Sequence, residues 1–111
     1  MKKVDRLKAY KRLEDELGRE NQLTKAIEEF AELIKEITQV LGKGTISNLK
    51  NICGEIGDAK ISLEQLERFY DPTGKAIEIE MHYKLSRLDL YYLNPAESLP
   101  DFNVNDTRED I

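Results

Sequence analysis

Two runs of apolar residues, spaced alternately four and three apart, constrain this chain more than any other feature. Leu23, Ile27, Phe30, Ile34, Ile37 and Leu41 make the first, and Leu49, Ile52, Ile56, Ala59, Leu63, Leu66 and Tyr70 the second. A mean spacing near 3.5 holds such a stripe on one side of an α-helix, and the stripe needs another helix to leave water. Ala26, Leu33 and Val40 widen the first stripe on one side. The spacing therefore predicts helices that pack on helices, with these stripes as their seams.

The remaining helices follow from the same pattern. Val4, Leu7, Tyr10, Leu13 and Leu17 predict an amphipathic helix over 3–17 that stops at Gly18 and packs as core or across a subunit boundary. Arg19–Gln22 reads as a polar break with Asn21 as N-cap of helix two, which runs to about Leu41. Gly42-Lys43-Gly44-Thr45 is a loop of turn residues, and Ser47 caps helix three, which runs to about Tyr70. Asp71-Pro72-Thr73-Gly74 stops it and places Pro72 or Thr73 in the opening turn of helix four, from about Lys75 to Leu93, with Ile77, Met81, Leu85, Leu88 and Tyr92 on its apolar face. The expected architecture is all-α and four-helix-bundle-like over residues 1–94, followed by a polar, acidic tail over 95–111.

Composition narrows the partners. A net charge of -5 argues against nucleic acid or an anionic membrane surface as the main partner. No apolar run approaches the roughly 20 residues of a membrane span, and Met-Lys-Lys-Val-Asp lacks a signal-peptide core. Cys53, the single cysteine, has no intrachain disulfide partner and is expected to be a buried, inert thiol. A cytoplasmic protein is the simplest expectation.

Within the two heptad runs lie paired carboxylates. An offset of 26 aligns Leu23 with Leu49, Glu29 with Glu55, Phe30 with Ile56 and Glu32 with Asp58. Residues three apart on a helix converge on one spot, so each helix carries an acid pair beside its seam, and antiparallel packing sets the pairs opposite one another. Four carboxylates so gathered repel unless they stay in solvent or cations neutralise them; hard oxygen donors in that number suit magnesium or manganese. Glutamate is also a good helix former that commonly solvates a face. Gly54 and Gly57 each cost about 1 kcal/mol of helix stability, which close approach of backbone to a ligand or neighbouring helix would offset. On helix four, Lys84 and Arg87 form a basic i, i+3 pair that either pairs with nearby acids or meets phosphate oxygens. His82 is the only histidine and position 79 is Ile, so the Glu-x-x-His of di-iron bundles is missing.

At Glu28-Glu29-Phe30-Ala31-Glu32, then 22 residues, then Glu55-Ile56-Gly57-Asp58, the chain resembles the MazG-like nucleotide pyrophosphohydrolases, a branch of the all-α NTP pyrophosphatases. The similarity takes in Glu20-Asn21-Gln22-Leu23 and, more loosely, Lys84-Leu85-Ser86-Arg87-Leu88, covering about residues 19–93. It implies a MazG-type bundle with helices paired across an oligomer interface, as a homodimer or homotetramer. It also implies hydrolysis of a nucleoside triphosphate to the monophosphate and pyrophosphate. By the same resemblance Glu29, Glu32, Glu55 and Asp58 hold Mg2+ (or Mn2+), Glu28 orients a water or acts as base, and Lys84 and Arg87 bind phosphate. The competing expectation is a non-enzymatic helical interaction module with solvated acidic faces.

Overall fold

The computed structural model describes residues 1–43 and 49–92. Among them are four α-helices and no strand: α1 (Lys3–Leu17), α2 (Arg19–Lys43), α3 (Leu49–Tyr70) and α4 (Lys75–Tyr92). The chain divides into two units, Met1–Phe69 with α1 to α3, and Tyr70–Ile111 with α4. No described helix is long and apolar enough to cross a membrane.

α1 ends where the sequence predicts. Gly18 has φ +83, a conformation that side chains resist, and its N–H closes the helix on the Glu14 carbonyl at 2.8 Å. The predicted break over 19–22 is absent, because one residue makes the whole turn. The Gln22 N–H already donates to the Gly18 carbonyl, and Asn21 is not an N-cap: its Nδ2 donates back to the Leu17 carbonyl at 2.6 Å, satisfying an orphan at the end of α1. At the other end Gly42 and Lys43 remain helical, while Gly44, Thr45 and Ser47 lie outside the described residues, as do the tail expected over 95–111 and the boundary at 94.

Charged bonds tie α1 along α3. Glu64 accepts from Arg6 Nε at 2.9 Å and from the Tyr10 hydroxyl at 2.6 Å, and Glu14 pairs with Arg68 at 3.0 Å and with Arg19 at 3.1 Å. The Arg19 guanidinium also lies over the Phe69 ring at 4.5 Å. Arg6 and Tyr10 hold the Glu64 carboxyl below its ordinary range; burial and that carboxylate push the Tyr10 hydroxyl up to about 12. On the other side of α3, Gln65 lies against Gln22, and Glu55 against Glu29 and Glu32, so α2 and α3 run antiparallel.

The buried faces coincide only in part with the predicted seams. α2 turns Gln22, Ala26 and Glu29 inward, with Leu33, Glu36 and Val40 half-covered, while Ile27, Ile34 and Leu41 are 70%, 65% and 81% exposed. α3 buries Ala59, Ser62 and Gln65; of its predicted seam Ala59 is buried and Ile52 and Leu66 are half-covered, while Leu49, Ile56, Leu63 and Tyr70 stay outside. α4 repeats the pattern, burying Ile79 and Asp89 and exposing Met81, Leu85, Leu88 and Tyr92. The widest apolar stripes are left unused within the described chain.

In unit 2, α4 is capped from upstream. Gly74 has φ +76 and its N–H closes a turn on the Asp71 carbonyl at 2.9 Å. The Asp71 carboxylate accepts from the Ile77 N–H at 2.8 Å, and Thr73 Oγ1 from the Lys75 N–H at 3.4 Å. Pro72 and Thr73 thus precede the first turn of α4, and do not form it as the sequence predicts.

Candidate metal centre

Three of the four expected ligands meet. Glu29, Glu32 and Glu55 each offer one carboxylate oxygen, and these oxygens lie within 4.8 Å of one another. Glu29 and Glu32 are one turn apart on α2, and the antiparallel course of α3 brings Glu55 to the same level. Asp58 is outside that group. It is exposed, one turn from Glu55, and shares a cavity wall with Glu29; its charge still acts on Glu55.

The group is strained electrostatically. Desolvation, and then the charges of Glu32, Asp58 and Glu29, raise the Glu55 carboxyl above its ordinary value. Glu29 is only 8% exposed, and Lys25 Nζ reaches it at 3.0 Å. Even so, buried oxygens on Glu29 (Oε2), Glu55 (Oε2) and Glu36 (Oε1) have no hydrogen-bond partner. Orphaned carboxylate oxygens are costly, and two belong to members of the trio. A hard divalent cation would satisfy them, and an all-carboxylate donor set is the kind that magnesium and manganese take. The residues present fit such an ion.

The other expected site residues are placed as follows. Glu28 is exposed, loosely paired with Lys25 at 3.6 Å. Lys84 pairs with Glu80 at 3.4 Å, and Arg87 is exposed; both are in unit 2. Gly54 and Gly57 do not make the close approach expected of them: both are exposed, and a Cβ at either would meet nothing within 4 Å. Cys53 is exposed rather than buried, because the covered side of α3 runs through Ile52, Glu55 and Ala59, and the next position turns about 100° away from Ile52.

Sequence reasoning missed a cavity of about 450 Å³ beside the acids. Lys25, Glu29 and Asp58 line it, together with the buried amides Gln22 and Gln65, which share a hydrogen bond of 2.6 Å. The usable signal was the polar and small stripe Gln22, Ala26, Glu29 on one helix and Asp58, Ser62, Gln65 on the other. No family model, curated protein or solved structure matches this chain.

Proposed function

We propose that the chain is a magnesium-dependent nucleoside triphosphate pyrophosphohydrolase of the MazG-like kind, cleaving (d)NTP to (d)NMP and pyrophosphate. The observation that carries this reading is the convergence of the Glu29, Glu32 and Glu55 oxygens, with buried, unpartnered oxygens on two of the three. Those three residues hold the cation, and Asp58 adds negative charge from one turn along α3. Bound magnesium or manganese supplies positive charge to phosphate oxygens and makes water a stronger acid.

The chain's own groups do the rest. Glu28 is exposed and its bond to Lys25 is long, so it is available to orient the attacking water and take its proton. Attack in line on the α-phosphorus expels pyrophosphate and needs no covalent intermediate. Lys25, at the cavity wall, is a cation suited to a phosphate oxygen. Assembly as a homodimer or homotetramer belongs to the same proposal, supported by the exposed heptads Ile27, Ile34, Leu41 and Leu49, Ile56, Leu63, Tyr70.

Those heptads also favour a second reading, a helical interaction module without catalysis. Pyrophosphate release, assayed across the common ribo- and deoxyribonucleotides with and without magnesium, separates the two. The hydrolase reading expects magnesium-dependent release that Glu32→Ala and Asp58→Ala abolish while circular dichroism stays helical. Undiminished turnover in both variants refutes the assigned acids, and no release from any nucleotide by the wild type favours the module.

A further inference from the structure

The cavity beside the acids has two chemically different ends. Lys25, Glu29 and Asp58 gather at one, continuous with the carboxylate trio through Glu29. At the other lie Gln22 and Gln65, both more than nine-tenths buried, with the buried Ser62 next along α3. Leu13, Leu17 and Ile61 supply apolar wall. Seven residues of α2 separate Gln22 from Glu29, which at 1.5 Å per residue is about 10 Å. No described charged side chain lines the glutamine end, so a phosphate there would be stripped of water without compensation.

A nucleotide has the same polarity, an anionic end joined through a sugar to a flat, neutral ring with polar edges. We infer that this cavity takes the nucleoside half of the substrate, with Gln22 and Gln65 reading the edge of the base and Leu13, Leu17 and Ile61 against its faces. The inference rests on the hydrolase reading for the placement of the phosphates, and extends it to the recognition of the base. The amide pair has the right inventory. Gln65 Nε2 donates to Gln22 Oε1, which leaves both protons of Gln22 Nε2, one proton of Gln65 Nε2 and the Gln65 carbonyl to offer. Donors and an acceptor side by side complement a base edge that carries a carbonyl next to a ring N–H or an amino group next to a ring nitrogen. Each amide also fixes the other's orientation, so the reading groups are set before the base arrives. The unpartnered Oε2 of Glu29 marks the opposite end as the place for the cation and its phosphates.

The test is the double variant Gln22→Met/Gln65→Met in the full chain. Methionine keeps the unbranched shape, and replacing both partners of a buried hydrogen bond with apolar groups leaves neither orphaned. Binding of Mn2+ alone, of inorganic triphosphate with Mn2+, and of the common nucleoside monophosphates with Mn2+ is measured by calorimetry. In parallel, unphosphorylated nucleosides are titrated while the side-chain amide signals of both glutamines are followed by NMR. The expected result is unchanged affinity for Mn2+ and inorganic triphosphate, with nucleotide affinity about tenfold to a hundredfold weaker, the loss of one or two buried hydrogen bonds. At least one nucleoside should shift the wild-type glutamine amides. Equal nucleotide affinity in wild type and double variant overturns the inference and leaves the hydrolase reading standing, as does the absence of any nucleoside shift. Nucleoside shifts without Mn2+ binding or pyrophosphate release keep the pocket and refute the hydrolase. A double variant that fails to fold, by circular dichroism, is replaced by Gln22→Glu, whose acceptor-only edge should re-rank the bases; an unchanged ranking overturns the inference.

Discussion

Glu32→Gln separates the two roles of a crowded carboxylate. The variant keeps the shape of the side chain, removes its charge and weakens it as a metal ligand. Glu32 offers an oxygen within 4.8 Å of those from its neighbours in the trio. At that distance two unit charges repel by about 0.9 kcal/mol in a water-like dielectric and by about 3.5 kcal/mol at an effective dielectric of 20. Glu32 is exposed, so the lower figure applies to its repulsion by Glu29. In a domain of this size about 0.9 kcal/mol raises the melting temperature by about 4–7 °C. With chelator present, the variant should therefore melt above the wild type. Addition of Mn2+ reverses the order: at a hundred times its dissociation constant the ion stabilises the wild type by about 2.7 kcal/mol, and the variant, short of a ligand, gains much less. Differential scanning fluorimetry in chelator and in a Mn2+ titration reads both effects. A variant that melts below the wild type in chelator shows that the acids are not crowded, and equal Mn2+ shifts in both proteins remove Glu32 from the ligand set.

Two further outcomes follow from other parts of the fold. Tyr10→Phe deletes a hydrogen bond to a charged acceptor, a loss of about 1.5 kcal/mol at the lower end of the range since Glu64 is partly exposed. The Glu64 carboxyl is depressed on folding, so its contribution is present above its unfolded value and lost as pH falls through the folded one; the variant should begin acid unfolding at a higher pH. Tyr10 is shifted the other way, so the wild type should lose more stability than the variant as pH rises from about 10 toward about 12, measured by thermal melts across pH. Ile34→Glu with Leu63→Glu charges both exposed heptads, and sedimentation velocity should show smaller particles than the wild type if those heptads join copies of the chain; an unchanged distribution rules that interface out.

Helix identity was legible in the sequence because 3.5 spacing and glycine stops act locally: α1 stops at Gly18, α3 ends at Tyr70 and α4 begins at Lys75, as expected. Capping was less legible. Asn21 and Asp71 both bond backbone groups, but each does so across a turn whose geometry a glycine decides. The inward faces were read only in part, for a different reason. Apolar spacing reports which side of a helix prefers to leave water, and it is silent on whether the same chain supplies the cover. The acids came through better, since an i, i+3 pair on each of two antiparallel helices has little freedom to miss its counterpart. Asp58 shows the limit: it stays exposed one turn from Glu55 and does not join the trio. Gln22 and Gln65 were invisible because 43 residues separate them and neither is unusual alone.

The exposed heptad residues have a thermodynamic consequence. Among the described residues of Met1–Phe69, the buried apolar side chains are one tyrosine and two alanines, Tyr10, Ala26 and Ala59. So little sequestered hydrocarbon leaves the unit a shallow reserve against the entropy of the unfolded chain. If copies of the chain settle on the isoleucines and leucines outside, as proposed above, its folded fraction depends on that association and dilution becomes a denaturant. A melting point that climbs with protein concentration would be its thermodynamic signature.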